Sequence, residues 1–324
     1  MNTMKWLLRR EFWEHKGALM WAPVVVGTLM VLLISSIAAL GISQGKLGDS
    51  VTVNGEHVSA TAMIKQLPPE KLQYISDAVA GAYMGLAAPL LMVMAIVVFF
   101  YCLACLGDER RDRSILFWKS LPVSDSETVL SKVIIAAFVA PLITIAVAFV
   151  VSLLTMLIIG AVLAFNGINL FGAILSNTDF YLMPLRVIGL LPVYILWALP
   201  TIGWLMMVSA WAKSKAFLWA VGAPIIAVIM IKWAQFLLGV NLDVHGFVYH
   251  VISRGLVGLV PGVWLPLTEM NPRLLMDASG NLSAGLVFEQ SYLSLTHPSA
   301  WIGALAGATM IFAAMRLRRW KDEG

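Results

Sequence analysis

Three groups of residues have side chains at spacings used for binding or catalysis. Cys102-Leu-Ala-Cys105 has the C-x-x-C spacing of metal and redox pairs. Asp243, His245 and His250 bring a carboxylate and two imidazoles close together. Gly41-Ile-Ser-Gln-Gly45-Lys46 sets a lysine behind two glycines, as phosphate loops do. None of the three is complete. The cysteines lie in an apolar run with no second pair and no histidine nearby, so two small buried residues is their default reading. The histidine group lacks a fourth ligand. The glycine string is shorter than G-x-x-x-x-G-K-[ST], and Leu47 stands where the hydroxyl belongs.

A fourth group is denser. Residues 107–132 open with Asp108-Glu-Arg-Arg-Asp-Arg113, run through the apolar Ile115–Trp118 and stop at Leu121-Pro122. Ser124-Asp-Ser-Glu127 then reads as a capping box that starts a new helix. Phe117 and Trp118 beside Arg and Glu have the composition of a docking surface, since aromatics and Arg are enriched at interfaces. The plainer alternative rests them on lipid headgroups.

The elements that must position these residues follow from composition. Of 324 residues, 60% are hydrophobic and 12% charged, against roughly 25% charged in a soluble domain. The apolar excess forms six charge-poor runs at about 18–40, 80–106, 133–165, 187–211, 216–238 and 300–315, each set against the roughly 20 residues that cross a hydrocarbon core. The expected fold is therefore an all-α integral membrane protein, a single transmembrane domain over 1–324. The third run is too long for an upright span and is expected to tilt or bend near Pro141. Pro23, Pro89, Pro192, Pro200 and Pro224 also fall inside spans, where neighbouring helices must re-satisfy the freed carbonyls. The first run is too long for the apolar core of a cleaved signal and reads as a retained span.

Fifteen of the 22 Lys and Arg fall on one side of this plan, in 1–16, in the 107–132 loop, at Lys213 and Lys215, and beyond the last span. That asymmetry predicts that both termini are cytoplasmic; the expected location is a cell membrane, crossed several times, with a bacterial cytoplasmic membrane the expected kind. The net charge of +4 then reports topology and offers nothing to nucleic acid. Residues 1–16 place Met4, Leu7, Leu8 and Phe12 at helical spacing beside Lys5, Arg9 and Arg10, an interfacial amphipathic helix that serves as anchor or as coupling element. Outside lie 41–79, with a hairpin signal at Asn54-Gly55 and a short helix opening at Pro68-Pro69-Glu70, and 239–299, with a re-entrant or surface-lying stretch at 255–267. Gly81-x-x-x-Gly85 and Gly303-x-x-x-Gly307 permit close helix contact. Lys232 lies about 25 Å beyond Lys215 along a helix and is expected to snorkel outward beside Trp233.

The order Glu109, basic residues, Ser114, an apolar run, Leu121-Pro-Val-Ser124, Glu127, Leu130 and Lys132 resembles ABC-2-type permeases, the membrane subunits of ATP-binding-cassette exporters. The opening Leu8-Arg-Arg-Glu-Phe-Trp-Glu-His15 is similar to that family's interfacial helix, and the six-span plan agrees along the whole chain. Arg113 and Ser131 stand where the family has glycines, and Ser114 where it has Thr. The resemblance implies a second permease subunit, in a homo- or heterodimer, and cytoplasmic ATPase subunits that dock on the 107–132 loop. By residue, it implies that Glu109, Arg110, Arg111, Phe117 and Trp118 couple to the ATPase. No cofactor is expected in this chain; ATP and Mg would sit on the partner, so the chain itself is not expected to be an enzyme.

All 18 Asp and Glu fall outside the six runs. Ion-coupled transporters place carboxylates at mid-membrane, so an external energy source fits better. The expected function is a path for a hydrophobic or amphipathic substrate: a lipid, drug or peptide. A membrane scaffold or sensor subunit of a similar assembly is the second reading, and a secondary transporter the third.

Overall fold

The computed structural model describes residues 3–43, 50–53, 56–59, 79–80, 83–112, 123–165, 169, 171–239, 243–277, 280 and 282–320. Apart from one hairpin, the regular structure in these residues is helical. Six helical stretches are long and apolar enough to cross a membrane: Gly17–Leu40, Tyr83–Arg111, Asp125–Phe165, Thr178–Trp211, Leu218–Leu238 and Pro298–Arg319. They match the six sequence runs, and the chain is a multi-pass helical membrane protein.

The α segments are α1 (Thr3–Glu14), α2 (Ala22–Ser43), α3 (Ala88–Ala104), α4 (Gly107–Arg111), α5 (Asp125–Ile134), α6 (Ala140–Phe165) and α7 (Phe171–Ser176). They continue with α8 (Thr178–Gly189), α9 (Leu191–Trp211), α10 (Ala223–Leu238), α11 (Val244–Phe247), α12 (Arg254–Val257), α13 (Trp264–Leu267), α14 (Ala284–Leu293) and α15 (Pro298–Trp320). Strands β1 (Ser50–Val53) and β2 (Glu56–Ser59) pair antiparallel with Val53 opposite Glu56, the pairing expected around Asn54-Gly55. Those two turn residues, and the helix expected from Pro68, lie outside the described residues.

Five prolines sit where α segments begin, while Pro184 and Pro200 stay inside α8 and α9. Pro23, Pro89, Pro141, Pro192 and Pro224 are each the second residue of an α segment. A proline there gives up a donor that the first turn does not need, whereas mid-helix its ring clashes with the carbonyl four residues back. Ahead of Pro23, Pro141 and Pro224 the chain widens into a π turn, at Gly17–Trp21, Ile135–Val139 and Leu218–Gly222. Ala22 N–H bonds Gly17 O and Ala140 N–H bonds Ile135 O, five residues back, which moves the preceding carbonyls away from the ring. The long third span is thus α5, a π turn and α6 in one continuous stretch, with its irregularity at Pro141 as expected. The fourth breaks at Leu190, where Pro192 removes the N–H that Ile188 would have received.

α9 and α15 make the most extensive helix contact, and the main core lies around α9, with α3, the 135–139 turn and α15 against it. Glycine sets their closeness. A Cβ at Gly307 would collide with the backbone of Leu199 and Pro200, and one at Gly203 with the backbone of Gly307. The expected contact through Gly303 and Gly307 is therefore made within this chain. The matching string at 81–85 behaves otherwise: Gly81 is outside the described residues, and nothing lies within 4 Å of a Cβ at Gly85.

The stretch 254–267 turns back into the bundle, with Leu259, Trp264 and Leu267 buried in the core. Its anchor is Arg254, 7% exposed, whose guanidinium lies 4.3 Å over the Trp197 ring. Arg254 donates to the carbonyls of Ser299 and Ala300 and fills the space left by Gly303. Thr201 Oγ1 donates to Arg254 O at 2.8 Å. Arg254 is thus a clamp between α9 and α15. Lys232 and Trp233 are exposed on α10, which buries no residue at all.

Candidate functional site

α1 presents the predicted apolar face: Leu7 is buried, and Leu8 and Phe12 pack on the core. The same face carries Glu11, one helical turn beyond Leu7, and it is only 2% exposed. A carboxylate so placed needs partners, because burying an unpaired charge is prohibitive. Lys132, on α5 and also 2% exposed, supplies one: its Nζ lies 2.7 Å from Glu11 Oε1. Tyr101 OH donates to the same oxygen at 2.9 Å, and His15 Nε2 lies 3.4 Å from it.

The chain of charges continues. Lys132 Nζ is 3.1 Å from Glu109 Oε1 on α4, and Glu109 Oε2 is 2.5 Å from Arg318 Nη1 on α15. Arg318 Nε reaches Asp125 Oδ1 at 3.1 Å, in the first turn of α5. Three carboxylates and two permanent cations thus alternate as Asp125, Arg318, Glu109, Lys132 and Glu11, with His15 at the end. Glu109 and Arg318 are 6% and 4% exposed. Four elements distant in sequence, α1, α4, α5 and α15, meet through these side chains at one end of the bundle.

The electrostatics follow the geometry. Burial alone would raise the Glu11 pKa, but hydrogen bonding from His15, the Lys132 ammonium and the Tyr101 hydroxyl outweigh it and hold the carboxyl down at about 2. The local sequence fixes α5 as well. Ser124 accepts from Glu127 N–H at 3.2 Å and Glu127 Oε2 accepts from Ser124 N–H at 3.1 Å, the reciprocal capping read from Ser124-Asp-Ser-Glu127.

The coupling candidates divide accordingly. Glu109 faces inward as part of the ion chain. Arg110 Nη2 donates to Ser209 O at 2.6 Å and Ala212 O at 3.0 Å, so it caps the last carbonyls of α9. Ser209 Oγ accepts from the Leu106 and Gly107 amides at 3.2 and 3.0 Å, fastening α4 to the same point. Arg111 is exposed beside them. Phe117 and Trp118 lie outside the described residues. Sequence reading missed Glu11 and Arg318 and gave Lys132 no partner. The signal for Glu11 was an acid four residues after Leu7 on an otherwise apolar face.

The other groups resolve simply. Cys102 and Cys105 are buried free thiols; Cys105 Sγ lies 3.4 Å from Cys102 O. Asp243 accepts from Gly246 N–H at 2.8 Å and caps α11, while His245 and His250 pack on the Tyr249 ring. Among the described residues no three His, Cys, Asp or Glu are grouped to hold a metal ion. No protein-family model matches this chain, and neither a curated protein nor a solved structure matches it.

Proposed function

We propose that the chain is the transmembrane permease subunit of an ATP-driven exporter of the ABC-2 type, forming a path for a hydrophobic or amphipathic substrate. In this reading the ion chain lies at the cytoplasmic end. A second permease subunit completes the path, and separate cytoplasmic ATPase subunits hydrolyse ATP with Mg. The 107–132 loop with its Leu121-Pro-Val-Ser124 sequence motivates the reading. The observation that carries it is the ion chain. The two ends of that loop, Glu109 and Lys132, are tied to each other, to α1 through Glu11 and to α15 through Arg318. A displacement applied between residues 112 and 123 therefore reaches α1 and α15 through charged contacts. Such contacts break at a high cost when one partner is lost, about 3–5 kcal/mol. An acid-free apolar interior further favours a drive supplied from outside the bundle.

The test is at Phe117 and Trp118. Truncating a buried aromatic anchor costs about 2 kcal/mol or more, roughly a thirtyfold loss of affinity. Trp118→Ala is expected to lower ATPase retention on the tagged chain by about that factor while the bundle stays folded. Equal retention and equal ATP hydrolysis in lipid for Phe117→Ala, Trp118→Ala and the parent chain would remove the loop as coupling surface. Retained ATPase without substrate movement would instead favour the scaffold or sensor reading.

A further inference from the structure

Beside the ion chain an open recess of about 570 Å³ lies where the start of α5 meets the last turns of α15. Val123, Ser124 and Ser126 line it on one side, and Phe312, Arg316 and Arg319 on the other. Asp125 and Arg318 also border it, but they are paired with each other, and Arg318 is held further by Glu109. Glu127 is turned back on Ser124 as its cap and is not part of the lining. The acid of the recess is thus neutralised from within the chain. Arg316 and Arg319 have no acidic partner among the described residues, and the Arg316 guanidinium lies 5.1 Å over the Phe312 ring.

The helix that carries these arginines has a second property. Ile302, Leu305, Phe312, Arg316 and Arg319 are all exposed. They follow one another at steps of three, seven, four and three residues, which keeps them on one face of α15. Gly307, on another face, packs against the backbone of α9. From Leu305 to Arg316 the helix rises roughly 16 Å at 1.5 Å per residue, about half of a hydrocarbon core roughly 30 Å thick. An apolar strip one leaflet tall therefore ends in a cationic recess.

Arginines at the end of a helix interact with its last carbonyls, and that alone asks for no ligand. The recess beside them and the strip below them ask for more. Guanidinium groups pair with phosphate through two parallel hydrogen bonds, and basic recesses between membrane helices hold anionic headgroups. We propose that the recess binds the headgroup of an anionic phospholipid, with its phosphate on Arg316 and Arg319 and an acyl chain along Phe312 and Leu305. The strip favours a lipid over a water-soluble phosphate, which would gain nothing from it. The site needs neither an ATPase nor transport, so it stands apart from the permease reading.

The experiment uses the full chain in phosphatidylcholine nanodiscs. The probes are phosphatidylglycerol with a photoreactive diazirine on its acyl chain, and phosphatidylcholine with the same chain. Saturable labelling of α15 around Leu305 and Phe312 is expected from the anionic probe. Unlabelled phosphatidylglycerol should displace it, and glycerol phosphate at the same concentration should not. Arg316→Gln and Arg319→Gln should each weaken it roughly fivefold, the worth of one basic residue near an anionic lipid. Arg316→Lys, which keeps the charge, should retain most of the affinity. Arg9→Gln, which removes an equally exposed cation from α1, should change nothing at this site. Non-saturable labelling spread over α10, equal labelling by the phosphatidylcholine probe, or an equal loss from Arg9→Gln would overturn the site. Displacement by glycerol phosphate would overturn the lipid and leave a site for a free phosphate.

Discussion

Lys132 holds two carboxylates at once, and its removal would take the ammonium partner from Glu11 and one of two cations from Glu109. Lys132→Met should destabilise the protein by about 3 kcal/mol or more, because a buried pair that loses one partner keeps an uncompensated charge. Adding Glu11→Gln to it should recover part of that loss, since the two residues share one contact and their effects are not additive. Thermal unfolding in detergent of the two single variants and the double variant checks this; simple additivity would mean that the pair does not interact. Glu11 also sets an acid limit. Its carboxyl is held at about 2, below the 4.5 of the free group, so its contribution is complete above pH 4.5 and is lost as pH falls from there towards 2. Unfolding followed through that window should show a loss that Glu11→Gln lacks. Such a residue is hard to read in a sequence because its stabilising partner lies 121 positions away. What can be read is the local anomaly, an acid on an apolar stripe. Ser124 and Glu127 were legible, in contrast, because both halves of their interaction lie within one turn.

For the helices, glycine and proline carry most of the information, and they differ in what they reveal. Proline acts on its own chain, so the dipeptide Ala-Pro at 22–23, 88–89, 140–141 and 223–224 marks four points where an α segment begins. Glycine only permits an approach, and its partner is not written beside it. That is why Gly303-x-x-x-Gly307 and Gly81-x-x-x-Gly85 read alike, although Gly307 touches backbone and Gly85 faces open space. Gly307→Leu should therefore force α9 and α15 apart and cost several kcal/mol, in line with overpacked or disrupted cores, whereas Gly85→Ala should be nearly silent. Paired measurements of thermal stability decide it, and a comparable loss at Gly85 would contradict the packing. The turned-back stretch 254–267 was visible as too short to span, but the role of Arg254 was not. Its acceptors are backbone carbonyls, which leave no trace in side-chain identity.

Across the whole molecule, the ion chain gathers α1, α4, α5 and α15 at one end, and Arg110 brings the Ser209–Ala212 end of α9 to the same place. If that end is cytoplasmic, as the basic asymmetry predicts, tags at either terminus and near Lys213 should be reachable from the cytoplasm alone. A cysteine at Asn54 should be labelled from the opposite side, and cytoplasmic labelling there would reverse the topology. The six spans do not share equally in the bundle. Ala223–Leu238 has no buried residue within the chain, whereas half of the residues in the apolar stretch of Tyr83–Arg111 are buried. Helices can enter a bilayer independently and associate afterwards, and the two steps draw on different free energies. For α10 the first step supplies nearly everything. Apolar-to-apolar substitutions along it should pass unnoticed in unfolding of the isolated chain, and a charge placed there should instead impair its insertion during synthesis.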